Sequence, residues 1–189
     1  FWEGIALVMP TCPVEIQNER TLAATSDIAA AWSVCFGLPG FFRLRPGAAF
    51  WPGAMPNPSF YDTTPLAETL SRLVDFDRIN DGGIRLSVGA VDVESGNFAY
   101  FDSTERRLGV EHILASGALP PAFPAIRIDG RWYWDGGLVS NTPLRYIADH
   151  LAGDGEATIL QVDLFNARGA VPQTHGDVAE RIKDIRFSS

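Results

Sequence analysis

Ala125-Ile126-Arg127-Ile128-Asp129-Gly130-Arg131-Trp132-Tyr133-Trp134-Asp135-Gly136-Gly137 is the stretch whose reading decides the fold. Two apolar-rich runs flank Asp129-Gly130, a dipeptide that supplies the positive φ angles of a type I′ turn, so a β-hairpin is predicted. After Asp135 the chain must turn sharply. Gly136 and Gly137 lack Cβ atoms, so they can take unusual backbone angles and let a ligand approach the main chain. Asn141-Thr142-Pro143 reads as a helix start, a capping side chain followed by Pro in the first turn. Leu144, Ile147, Ala148 and Leu151 then recur at helical spacing, and Gly153 is a fitting stop. Asp135 is therefore expected at a strand end on a strand–loop–helix junction, where open α/β sheets place ligands. Taken alone, Asp-Gly-Gly is also compatible with a plain turn.

Outward from this junction, helices and strands alternate. Asn18 to Val34 is Ala-rich and reads as a helix. Thr63 or Thr64 is expected to cap a helix with Pro65 in its first turn and Leu66, Leu70, Leu73 and Val74 on its apolar face. Ile84 to Val93 reads as a strand apolar enough to be central. Glu94-Ser95-Gly96-Asn97 turns it back into Phe98 to Phe101. Val110, Ile113, Leu114 and Gly117 mark a helix that ends at Pro120, and Thr158 to Phe165 reads as a further strand. The sum is an α/β domain with a mixed sheet. Phe41 to Phe60, rich in Pro, Gly and aromatics, has two readings: a loop packed over the sheet edge, or an apolar wall or lid for an acyl chain.

Ala115-Ser116-Gly117-Ala118-Leu119-Pro120-Pro121-Ala122-Phe123-Pro124 resembles the A-S-x-A-x-P-x-x-F segment of the patatin-like phospholipase family. Asp135-Gly136-Gly137 resembles its Asp-Gly-Gly/Ala motif, at a suitable distance downstream. Ser59 to Leu66, Arg85 to Val93 and Lys183 to Ser189 resemble stretches of a bacterial branch. The resemblance implies a patatin-like three-layer sandwich with a mixed, mostly parallel central sheet. It also implies a Ser–Asp dyad without histidine, with Asp135 as the base and Gly136 and Gly137 close to substrate. The family's nucleophile lies in Gly-x-Ser-x-Gly, and no such pattern occurs in these 189 residues; Ser87 has Arg85, and Ser116 has Leu114, where a glycine is needed. The expectation is therefore a fragment of residues 1–189 covering the central and C-terminal part of one hydrolase domain. It would lack the nucleophile and oxyanion loop and be inactive alone. The alternative is a non-catalytic lipid-binding or scaffold protein on the same fold.

Composition narrows the partners. Hydrophobic residues make up 46% and charged residues 20%, as in a globular domain. The net charge of −8 disfavours nucleic acid, which needs a basic stripe, and leaves apolar contact as the means of touching lipid. A lipid or ester substrate is expected. The location is expected to be cytoplasmic, with peripheral contact at a membrane. No phosphate-cradling glycine loop or metal-ligand spacing is present, so no cofactor and no metal are expected; Asp75 to Gly82 fails the calcium-loop pattern and reads as a solvated connection. Cys12 and Cys35 read as free thiols. His112 on a helical segment, His150 near a helix end and His175 in a polar loop read as structural or solvated. Asp102 and Asp163 end or interrupt strands, with nothing tying them to chemistry. An ordinary aspartate, with a pKa near 3.9, is a poor base toward a hydroxyl; partial burial beside Trp134 and Leu138 is the expected remedy.

Overall fold

The structure, a computed structural model, describes residues 32–45, 57–140, 144–150, 158–162 and 164–188. They fall into two compact units, Phe1–Asp135 and Gly136–Ser189.

In the first unit, residues 32–36 are helical. A two-stranded antiparallel sheet pairs β1 (Arg43–Leu44) with β2 (Tyr61–Asp62). Helix α1 (Thr64–Leu73) follows, with Pro65 in its first turn. Its start is held by neither threonine side chain at the cap. Asp62 does this instead, accepting from the Thr64 N–H at 3.0 Å and the Thr64 hydroxyl at 2.7 Å. The expected apolar face is only partly realised. Leu73 is exposed, and the buried residue is Thr69, whose hydroxyl donates to the Gly40 carbonyl at 2.7 Å. The Asp75 to Gly82 connection contains a short helix, α2 (Phe76–Asn80), capped by the Asp75 side chain.

The main sheet has the order β4-β3-β6-β5, with β3 (Ser87–Asp92) and β6 (Arg131–Asp135) inside and β4 (Phe98–Asp102) and β5 (Ile126–Ile128) at the edges. β3 is central, as its apolar run predicts. Every strand pair among the described residues is antiparallel, where the resemblance implies a mostly parallel sheet. For two of the pairs the reason is local: the β3–β4 and β5–β6 connections are tight turns, and a tight turn can only return an antiparallel strand. Helix α3 (Val110–Ser116) packs on β3, β5 and β6. Ala115 and Ala90, both fully buried, let helix and sheet approach closely. Phe101, Leu108, Ile128 and Tyr133 complete the core. The Phe101 and Tyr133 rings meet edge to face at 5.1 Å, an arrangement that contributes ~1 kcal/mol beyond area burial. The combination of helices and sheets makes the fold α/β.

The second unit opens with a 3-10 turn (Gly136–Leu138) and contains α4 (Leu144–Asp149) and α5 (His175–Phe187). The expected cap of α4, Asn141 to Pro143, and its stop, Gly153, lie outside the described residues. α5 begins at His175, a position that reads from sequence as polar loop. Thr174 accepts from the Asp177 N–H, while Asp177 accepts from the Thr174 N–H at 2.9 Å, a reciprocal cap. Phe187 meets Phe165 at 5.6 Å between ring centroids. The described residues of Thr158 to Phe165 form no strand, contrary to their composition. Leu160, Val162 and Leu164 are largely exposed, and among the described residues no strand pairs with them. A β-favouring run becomes a strand only where a neighbour takes up its N–H and C=O groups.

Candidate active site

Asp135 owes its position to the hairpin. Asp129 has φ +49° and Gly130 φ +86°, both in the left-handed region that a type I′ turn requires. The turn sets Ile128 opposite Arg131 and Ile126 opposite Tyr133. On its other side β6 pairs with β3, which brings Asp135, the last residue of the strand, opposite Ala90. Asp135 is half-buried, and its N–H donates to the Ala118 carbonyl at 3.1 Å. This bond joins the two most diagnostic stretches of the sequence, since Ala118 lies within Ala115 to Pro124.

That segment is itself tied down on several sides. The Gly117 N–H bonds back to Leu114 and the Ala118 N–H to Ala115, each at 3.2 Å, which closes α3. The Pro120–Pro121 peptide is cis. The carbonyls of Pro121 and Ala122 accept from the N–H groups of Phe60 and Tyr61 at 3.1 and 2.9 Å, so a third stretch of the resemblance, Ser59 to Leu66, joins the same cluster. Asn57 brackets Ala125 with its side-chain amide, donating at 2.7 Å and accepting at 2.8 Å. Phe123 packs against Phe42, Tyr61 and Phe41 at centroid distances of 5.5, 6.1 and 6.2 Å. The packed-loop reading of the aromatic segment thus holds for Phe41 and Phe42, while Phe60 is exposed and Phe50 and Trp51 lie outside the described residues.

Beyond Asp135 the backbone enters the 3-10 turn, in which the Gly136 carbonyl accepts from Val139 and Ser140, both at 3.0 Å. Gly136 is buried and Gly137 half-buried. Neither takes a positive φ. The freedom that sequence reasoning attributes to these glycines is not used for a left-handed conformation.

Two other carboxylates repay comparison. Asp102, fully buried at the end of β4, accepts from Ser87, from the Thr104 N–H and hydroxyl, and from Arg85 in an ion pair at 2.8 Å. Burial works against its ionisation. The hydrogen bonds from Ser87, Thr104 and Arg85 outweigh that effect and hold the carboxyl well below the usual carboxylate range. Ser87 and Asp102 make a serine–aspartate pair, but a carboxylate so thoroughly satisfied has little affinity for a hydroxyl proton, so the pair is a structural lock. Asp92 is held similarly, by the backbone N–H of Ser95 first and then by Arg131. Asp163 and Cys12 lie outside the described residues, and Cys35 is exposed.

The histidines take distinct places. His150 follows α4, its Nδ1 2.8 Å from the Tyr146 carbonyl and its ring stacked on Tyr146. His112 is buried in α3, accepts from the Gly109 N–H at 2.9 Å through Nδ1, and leaves Nε2 without a partner. Sequence reasoning passes over this orphan because the partner-free nitrogen is a tertiary property. No helix among the described residues is long and apolar enough to cross a membrane.

A search of curated proteins finds no match to the chain. The family model of patatin-like phospholipases matches residues 4–148, well over half of the sequence, and spans the hairpin, the Ala115 to Pro124 segment and Asp135-Gly136-Gly137. The chain belongs to the patatin-like phospholipase family, a family of lipid acyl hydrolases.

Proposed function

We propose that Asp135 is the general base of a Ser–Asp dyad that hydrolyses carboxylic esters of lipids. On this reading the serine belongs to a Gly-x-Ser-x-Gly segment upstream of Phe1, and both units belong to one hydrolase domain. The observation that carries the proposal is the bond from the Asp135 N–H to Ala118, which supports a fixed position for the carboxylate at the end of an internal strand. The serine hydroxyl attacks the ester carbonyl carbon while Asp135 takes its proton. The carbon–oxygen bond to the alcohol then breaks, and the protonated Asp135 returns the hydrogen to the departing oxygen. In the second half Asp135 takes a proton from water as water attacks the acyl-serine, and gives it back to the serine oxygen. Gly136 and Gly137, which follow the base in sequence, are assigned as substrate-proximal by their place in the Asp-Gly-Gly motif. With a net charge of −8, contact with a lipid surface is peripheral and apolar.

The test is Asp135→Asn in the full-length protein, assayed on a short-chain nitrophenyl ester. Loss of a general base lowers turnover by about 10²–10⁴-fold, with the circular dichroism spectrum unchanged. Near-normal turnover in a folded variant overturns the assignment. The 189 residues assayed alone are expected to be inactive. A folded, full-length protein that binds lipid vesicles but hydrolyses no ester would favour the scaffold reading.

A further inference from the structure

We propose that the cleft between the β5–β6 turn and the start of α3 is a binding site for a phosphate-class oxyanion, independent of the role of Asp135. Arg106, Arg107 and Arg127 line this cleft of about 500 Å³, together with His112, Glu111 and Asp129. Three guanidiniums against two carboxylates leave it net positive in a chain whose formal charge is −8. That size suits a phosphate carrying an organic group.

The arginines are held by solvent-exposed ion pairs and ring contacts, Arg106 lying over the Phe101 ring at 5.5 Å. Arg106 pairs with Asp129 at 2.9 Å, and Arg107 with Asp77 at 2.7 Å, all four side chains well exposed to water. Exposed pairs of this kind open readily, whereas a phosphate takes two parallel N–H bonds from each guanidinium. Arg127 lies over the Trp132 ring at 5.9 Å, a cation–π contact that leaves its N–H edge available.

His112 is the second, independent observation. Its side chain is 5% exposed; a Glu111 carboxylate oxygen lies 3.3 Å from Nδ1, but the shorter bond, from the Gly109 N–H at 2.9 Å, marks Nδ1 as the acceptor nitrogen. The ring hydrogen is therefore on Nε2, which is buried and meets no acceptor. Buried polar groups are nearly always hydrogen-bonded, and His112 lines the same cleft as the three arginines, so an acceptor entering that cleft would satisfy its orphan donor. Burial, the largest influence, holds the imidazole below its usual pKa, so at neutral pH it offers a single N–H, suited to an oxyanion.

This cleft is distinct from the candidate active site. Asp129 lies at the turn and Asp135 at the far end of β6, on the order of 20 Å away at ~3.3 Å per residue.

Titration of the ¹⁵N-labelled full-length protein with inorganic phosphate, against chloride at matched ionic strength, tests the proposal. Saturable displacement of the His112 Nε2–H resonance is expected. Arg106→Gln and Arg127→Gln are each expected to weaken phosphate binding about tenfold without lowering the phosphate-free melting temperature. Absence of a saturable response up to about 10 mM, or an unchanged response in the double variant, overturns the proposal. Asp135→Asn is expected to bind phosphate normally, so failure of the hydrolase assignment and failure of this one are separable. Two further probes identify the source of the oxyanion. Glycerol 3-phosphate binding without recruitment to phosphatidic acid vesicles indicates a soluble phosphate compound. Recruitment to those vesicles but not to phosphatidylcholine alone, lost in the double variant, indicates a lipid headgroup. Either result supports the site.

Discussion

Asp102 and Asp62 show how single carboxylates organise this chain. Asp102 gathers Ser87, Thr104 and Arg85 around one buried group. Asp102→Asn keeps the volume but replaces acceptor oxygens with an amide that must donate. The expected loss is about 2–3 kcal/mol, at the lower end for a broken buried pair because Arg85 can still reach water. A shift in the urea unfolding midpoint at constant slope measures it. Asp62 begins α1 from two residues before the helix, and Arg43 pairs with it at 2.7 Å. Burial raises its pKa, but hydrogen bonds from Thr64 and Arg43 prevail and bring it down to about 2. The folded pKa lies below the unfolded one for both groups, so each contributes stability that is complete well above pH 4. That contribution declines as pH falls through 3.8 toward 2 and is lost once the folded state is protonated too. Thermal melts of the wild type should therefore fall between pH 5 and pH 2, and Asp62→Asn should melt lower at pH 7 but follow a shallower acid slope. Parallel acid slopes would contradict this origin.

The β5–β6 hairpin tests whether turn chemistry or packing sets the position of Asp135. Nothing lies within 4 Å of a Cβ built on Gly130, so a substitution there meets only backbone strain at φ +86°. Gly130→Ala is expected to cost ~1 kcal/mol, lowering the melting temperature by about 2–4 °C, and Gly130→Asn clearly less, because asparagine tolerates the left-handed region. Equal losses would mean that the turn is not held in this conformation. The same locality explains what was legible beforehand. Asp129-Gly130 and Glu94-Ser95-Gly96-Asn97 announce their turns within four residues, and the inner position of β3 follows from its richness in apolar residues. The Thr174 to Asp177 cap was equally local, and a polar surrounding masked it. Other features depend on neighbours remote in sequence. Thr69 is buried where Gly40 receives its hydroxyl, the described residues of Thr158 to Phe165 pair with no described strand, and the arginines share a cleft with His112 only after β5 and α3 pack. The position of Asp135 was readable because a turn and a strand suffice to set it. Its tether to Ala118 needed the fold.

Across the chain, cohesion is unevenly distributed. The buried apolar side chains among the described residues run from Ala90 to Tyr133, all in the first unit. In the second unit α5 has no buried residue, and Ile182 and Ile185 stand largely exposed. The family match runs to residue 148, past the division after Asp135. The free energy of opening a segment scales with the apolar area that opening exposes. Amides of β3, β6 and α3 should therefore exchange only through near-global unfolding, whereas those of α5 need break little more than the helix itself. Hydrogen–deuterium exchange at pH 7 should show α5 exchanging at least about 10³-fold faster than β3, equivalent to roughly 4 kcal/mol of opening free energy. Comparable protection in α5 would mean that its apolar face is covered in solution. Covering by self-association would make that protection depend on protein concentration, so the same exchange at two concentrations separates cover by a second copy from cover within one chain.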